Sequence, residues 1–224
     1  MDRLWTASAW TNRLAGDLLD LLFPPRAEEG PLREHLPPFC VRCCAPGFLL
    51  CPRCQETPPS FLWARAPYRY SGAVKRAVLQ LKYGKQIDRI PWLAELLEIG
   101  FRTYAATFPW DALIPIPLHP VRERSRGFNQ AEEIARLLGK RQGIPVQKAL
   151  LRVRPTPPQA ALPRDERSIN LEGAFRPQRN FDLVGKNLLL VDDVITTGAT
   201  VRECAARLSE SGAGLVCVLA VARS

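Results

Sequence analysis

Asp192 and Asp193 stand side by side, and Thr196, Thr197 and Thr200 follow within eight positions around Gly198. These are the residues of the chain best typed for chemistry. Paired carboxylates can hold a diol or a divalent cation. Hydroxyls and backbone N–H groups at a turn that opens a helix can hold a phosphate. Two acids beside a phosphate would repel it, so the combination calls for a sugar diol or for Mg²⁺ neutralising a second phosphate group. The plainer alternative is a buried strand capped by an Asp-rich turn. Against it, acids, hydroxyls and glycine all fall where a sugar phosphate needs them.

The second set is sulfur. Cys40-x2-Cys43 and Cys51-x2-Cys54 are two knuckle pairs separated by seven residues. Four thiolates in that pattern complete a tetrahedral structural zinc site. So small a module has no core of its own, so the metal must supply its folding energy. Cys44 is surplus and competes as a ligand, but Cys43 keeps the two-residue spacing. No export signal is evident, so clustered cysteines argue for zinc over disulfides and for a cytoplasmic location by default.

The third set is basic. The net charge is +9, and residues 122–154 hold nine Lys/Arg against three Asp/Glu. Such a segment suits phosphorylated ligands or nucleic acid; a solvated Arg-rich surface is the bland reading. Lys82, at a helix end before Gly84, and Arg126, before Gly127, are candidates to meet an anionic ligand, although a lysine there more often favours the negative end of the helix dipole. His119 is a loop histidine and is not assigned as a base.

Elements must position these groups. Leu188 to Val191 is an apolar run of the kind found in parallel strands covered on both faces. Val201, Cys204, Ala205 and Leu208 recur at helical spacing behind the threonines, and Leu215 to Val221 reads as a second buried strand. Upstream, Tyr68 to Tyr70 is a short strand, and Val74, Ala77, Val78 and Leu81 mark a helix. Leu93, Leu96, Leu97 and Phe101 mark another. Asp111 to Pro117 is a strand with prolines at its exit, and Leu118 to Phe128 reads as a loop. Asn129 and Glu132 open a further helix in capping-box fashion. Strands alternating with helices predict an α/β parallel sheet. Residues 1–23 read as an amphipathic helix stopped by Pro24-Pro25, and 152–173 have the composition of a lid. The expected organisation is an N-terminal helix and arm over 1–38, a zinc ribbon over 39–60 and the α/β parallel-sheet domain over 61–224. No apolar run of about 18 residues is present, so no membrane span is expected.

The stretch from Leu188 to Thr200 closely resembles the phosphoribosyl pyrophosphate (PRPP) motif of type I phosphoribosyltransferases: four apolar residues, two acids, then T-T-G-x-T. The resemblance implies that Asp192 and Asp193 bind the ribose hydroxyls and serve as the catalytic pair. It implies that the PRPP-binding stretch takes in Asp192, Asp193, Val194, Thr196, Thr197, Gly198, Ala199 and Thr200, with the threonine loop wrapping the 5-phosphate. Taken with Leu21-Leu22-Phe23-Pro24-Pro25, the cysteine pairs, Leu81-Lys82-Tyr83, Ile114-Pro115-Ile116-Pro117-Leu118, Arg126-Gly127-Phe128-Asn129-Gln130-Ala131, Gln159, Arg167 and Asn170, the whole chain resembles the ComF family of competence-associated proteins. That resemblance implies a type I phosphoribosyltransferase fold behind a zinc ribbon, and Mg²⁺ and PRPP as ligands. It also implies a cytoplasmic protein acting beside incoming single-stranded DNA, with a competence helicase or other uptake proteins as partners. Arg26-Ala27 stands where many relatives carry further cysteine pairs, so one zinc is expected rather than two. Two functions stay open: a phosphoribosyl-transferring enzyme, and a DNA-binding module, for which Trp63, Tyr68 and Tyr70 could stack bases, although core or strand positions suit them better.

Overall fold

The computed structural model describes residues 39–155 and 171–224. The expected N-terminal helix and arm, and most of the expected lid, lie outside the described residues.

The sheet is built from strands β1 (Ala64–Arg65), β2 (Tyr68–Arg69), β3 (Ala112–Pro115), β6 (Asn187–Ile195) and β7 (Leu215–Arg223). Both β1 and β2 lie parallel against β7, followed in order by β6 and β3. Leu190 sits between Ile114 and Val218 in register. Every pairing in this sheet is parallel. The central strands are therefore covered on both faces, which is why they read as unbroken apolar runs. Pro115 ends β3, and the Ile116 N–H reaches the Val191 carbonyl at 2.9 Å, so the proline removes no needed donor.

Helices α2 (Gly72–Tyr83), α3 (Ile90–Tyr104) and α5 (Gln130–Gln142) cover one face, packing Leu81, Leu97 and Ile134 against Leu189 and Val191. Helix α6 (Ala199–Glu210) covers the other, packing Val201, Cys204 and Leu208 against Leu188 and Leu190. The cysteine module, with its short helix α1 (Pro52–Glu56), joins this second cluster. So does an antiparallel pair, β4 (Leu150–Arg152) with β5 (Phe175–Pro177).

The segment expected as a loop over Leu118 to Phe128 instead contains a short helix, α4 (Pro120–Arg126). Three local signals outweigh its polar composition. His119 Nδ1 accepts from the Val121 N–H at 3.3 Å, Pro120 fills the first position where no N–H is missed, and Gly127 closes the end at φ +92°. Asn129 caps α5 as expected, its side chain accepting from the Ala131 N–H at 3.1 Å and donating to the Ile116 carbonyl at 3.0 Å. Glu132 does not complete a capping box; it turns to Arg136 and to Lys148, the latter at 2.7 Å. Trp63 and Tyr68, offered as base-stacking platforms, are core residues, and Trp63 packs edge-on to Phe108 and Trp110. Their burial follows from parallel pairing of β1 and β2 with β7.

Candidate functional site

The acid pair lies near the carboxyl end of β6. Successive strand residues face opposite sides of a sheet, so the two acids part. Asp193 follows Leu189 and Val191 onto the α2/α5 face. There it is 4% exposed, Lys82 Nζ of α2 sits 2.7 Å from its Oδ2, and Gln130 Nε2 of α5 donates to the same oxygen at 3.5 Å. Burial opposes ionisation of Asp193, but the charge and hydrogen bond of Lys82 prevail and hold its pKa below the usual carboxylate value. The Lys82 ammonium, although desolvated, is held above its ordinary value by Asp193 in return.

Asp192 turns to the opposite face and is half-buried. Loss of hydration and the neighbouring Asp193 charge push its carboxyl well above the ordinary range. It lines a small pocket of about 30 Å³, open to solvent, with Val194, Ile195, Thr196, Gly198, Thr200 and Val201. The floor of that pocket is the amino end of α6. Gly198 occupies the N-cap in the left-handed region at φ +77° and offers no side chain, Thr197 Oγ1 accepts from the Ala199 N–H at 3.3 Å, and the first turn carries no acid. Backbone N–H groups and the positive helix end therefore face the pocket without a built-in anion. The glycine is required by this φ and not by crowding, since a Cβ there would meet nothing closer than 4.0 Å.

Arg126, at the end of α4, is half-buried. Burial lowers its pKa while the Asp193 charge works the other way, so it lies within electrostatic reach of that acid. Of the two basic residues singled out from sequence, Lys82 pairs directly with Asp193, and Arg126 feels its charge without bonding to it. Two side chains escaped sequence reading. Gln130 reaches Asp193 from the first position of α5, and only its place beside the basic loop hinted at this. Arg152 of β4 is buried with its guanidinium 5.4 Å from the Phe175 ring centre and feels the Asp192 charge. An arginine inside the apolar run Leu150-Leu151-Arg152-Val153 was the available signal.

The sulfur atoms of Cys40, Cys43, Cys51 and Cys54 all lie within 4.8 Å of one another, and those of Cys43 and Cys51 are 3.6 Å apart. A tetrahedral zinc–thiolate site with bonds of about 2.3 Å requires S···S edges of about 3.8 Å, so the four residues fit the ion. Amide groups of Cys43 and Cys51 each donate to Cys40 Sγ at 3.5 Å. Against its burial, these donors pull the Cys40 thiol down to about 6, favouring the thiolate that a metal needs. Cys44 stands outside this set, buried at φ +59°. No helix among the described residues is long and apolar enough to cross a membrane.

A parallel α/β sheet that brings an acid pair, a hydroxyl loop and a helix start to one strand terminus is the arrangement expected from the motif over Leu188 to Thr200, here beside a four-cysteine centre. No protein-family model matches the chain. It is 31% identical to the DNA utilization protein YhgH of Escherichia coli strain K12 over 196 residues, covering 83% of this chain and 84% of that protein. It is 32% identical to competence protein F of Haemophilus influenzae over 183 residues, 78% of either chain. The chain belongs to the ComF family. Among solved structures, the glutamine PRPP amidotransferase of B. subtilis aligns over 56% of this chain and 25% of its own, at 23% identity and a TM-score of 0.38.

Proposed function

We propose that the protein binds Mg²⁺-PRPP and transfers its phosphoribosyl group in the service of DNA uptake, in the cytoplasm. The observation that carries this reading is the half-buried carboxylate of Asp192 placed over the open amino end of α6. An acid whose ionised form is disfavoured by its surroundings gains from a diol or a cation beside it. In this reading Asp192 receives the ribose hydroxyls, and the N–H groups and hydroxyls of Thr196 to Thr200, Val194 beside them, seat the 5-phosphate. Asp193, ionised by Lys82, supplies fixed negative charge behind the sugar as C1 becomes cationic. In this reading Lys82 and Arg126 hold the leaving pyrophosphate. Bound Mg²⁺ would neutralise charge on that leaving group. A nitrogen nucleophile then bonds to C1 as the C1–O bond breaks, and the electron pair leaves with pyrophosphate.

The basic segment supports a second reading, a non-catalytic module that holds single-stranded DNA with PRPP as regulator, working with a competence helicase or other uptake proteins. Phosphate contacts would make that binding fall steeply with salt. A panel of bases, nucleosides and DNA ends incubated with PRPP separates the readings. Pyrophosphate release with one acceptor is the expected result. None with any acceptor, together with salt-sensitive oligonucleotide binding, would favour the module.

A further inference from the structure

The cysteine module does more than precede the phosphate loop; it is bonded to it. Arg53 lies between the ligand-spaced Cys51 and Cys54, and its Nη1 donates to the Thr197 carbonyl at 3.3 Å. Arg202, in the first turn of α6, reaches back. Its Nη1 donates to the Thr57 carbonyl at 2.8 Å and its Nη2 to Cys54 Sγ at 2.9 Å. The Arg202 backbone N–H in turn donates to the Gly198 carbonyl at 3.0 Å, closing the turn that holds the loop. Thr197, Gly198, Arg202, Cys54 and Arg53 therefore form one closed circuit between the loop and the metal knuckle. Apolar packing reinforces it, since Cys51 and Cys54 share a core cluster with Ala199, Val201 and Cys204.

This circuit has a directional effect on the loop. A carbonyl tied to the module at Thr197 is held away from the ligand, and the N–H groups that follow it are left to the phosphate side. Two guanidinium groups sit together here and would repel each other alone. Negative charge on the knuckle sulfurs, one of which accepts from Arg202 Nη2, works against that repulsion. Metal binding supplies the folding energy of so small a module, so the anchor holds only while the module is folded.

We infer that Arg53 is a positioning residue of the phosphate loop, and that zinc occupancy is transmitted through Arg53 and Arg202 to the loop over Thr196 to Thr200. The inference rests on the phosphoribosyl reading only for its ligand; the mechanical link stands without it.

The test uses the full-length zinc-loaded protein, its chelator-treated form and the variants Arg53→Ala, Arg53→Lys and Gln55→Ala. Zinc content, amide hydrogen exchange over 196–202 and Mg²⁺-PRPP affinity are measured together. Arg53 is exposed, so Arg53→Ala is expected to fold and keep its zinc. Exchange in the loop should rise, and Mg²⁺-PRPP affinity fall, each about tenfold, the size of one lost charge-assisted hydrogen bond. Arg53→Lys should recover part of both, and chelation should reproduce the faster exchange. Gln55, which donates to Leu50 within the module, should leave the loop unchanged. Native exchange in zinc-loaded Arg53→Ala would overturn the inference, as would equal acceleration by Gln55→Ala. Native protein that fails to bind PRPP would sink the phosphoribosyl reading, and the exchange comparison would still decide the link.

Discussion

Asp192 and Asp193 adjoin in the chain and face opposite sides of the sheet, and each acquires a different charge environment from that separation. Asp193 has a buried cation; Asp192 has a pocket. Removing the cation while keeping the stem, Lys82→Met, leaves a buried uncompensated carboxylate and should cost about 2–3 kcal/mol at neutral pH. The pH dependence has a definite sign. In the native protein the depressed pKa of Asp193 contributes stability that is present above its unfolded value near 3.8 and is lost as pH falls through the lower folded value. In Lys82→Met the carboxyl is raised instead, so its penalty is relieved as the group protonates. Denaturant unfolding at pH 7 and pH 4 should therefore show the gap between the two proteins narrowing in acid. A constant gap would mean that Lys82 acts through packing alone. Residue types at this site were legible because acids, threonines and glycine are chemically distinctive. The partition of the acids follows from strand alternation, and the Lys82 partnership needs the α2 helix to be docked, which no local spacing reveals.

At the scale of elements, two glycines make opposite tests. Gly198 sits at φ +77° with room around it, so Gly198→Ala should cost about 1 kcal/mol, all of it conformational. Gly139 lies inside α5 with ordinary helical geometry, where alanine usually stabilises. Here a Cβ would meet the Ile144 carbonyl at 2.6 Å and Val146 Cγ2 at 2.8 Å. Gly139→Ala should therefore destabilise by about 1–3 kcal/mol, read by thermal unfolding. The α3–α5 contact carries a further prediction. Glu98, buried, bonds Arg102 at 2.6 Å and Arg141 at 2.8 Å, and these partners, Arg141 foremost, hold its pKa down. Glu98→Gln should lower stability by about 1–2 kcal/mol at neutral pH, with the difference fading as pH falls through the depressed carboxylate value. Strands and long helices were legible because their apolar periods are sustained. Helix α4 was not, because its seven residues carry no apolar period, and only its caps betray it.

At the scale of the whole molecule, the cysteine module is continuous with the core under α6, so metal loss should reach beyond the ribbon. Chelation is expected to lower the thermal midpoint of the full chain and not merely to unfold an isolated appendage; an unchanged midpoint would show that the module is energetically separate. The four-cysteine spacing made the centre legible. The docking of the module onto the loop before α6 was not, because Arg53 and Arg202 are 149 positions apart and are joined only through the folded chain. The claim on which the functional account depends is a working phosphoribosyl site. Calorimetric titration of Mg²⁺-PRPP into the zinc-loaded native protein and into the Asp192→Asn/Asp193→Asn variant tests it most directly. Saturable binding by the native protein that the double substitution abolishes is the expected result. A folded, zinc-loaded native protein that takes up no Mg²⁺-PRPP would contradict it.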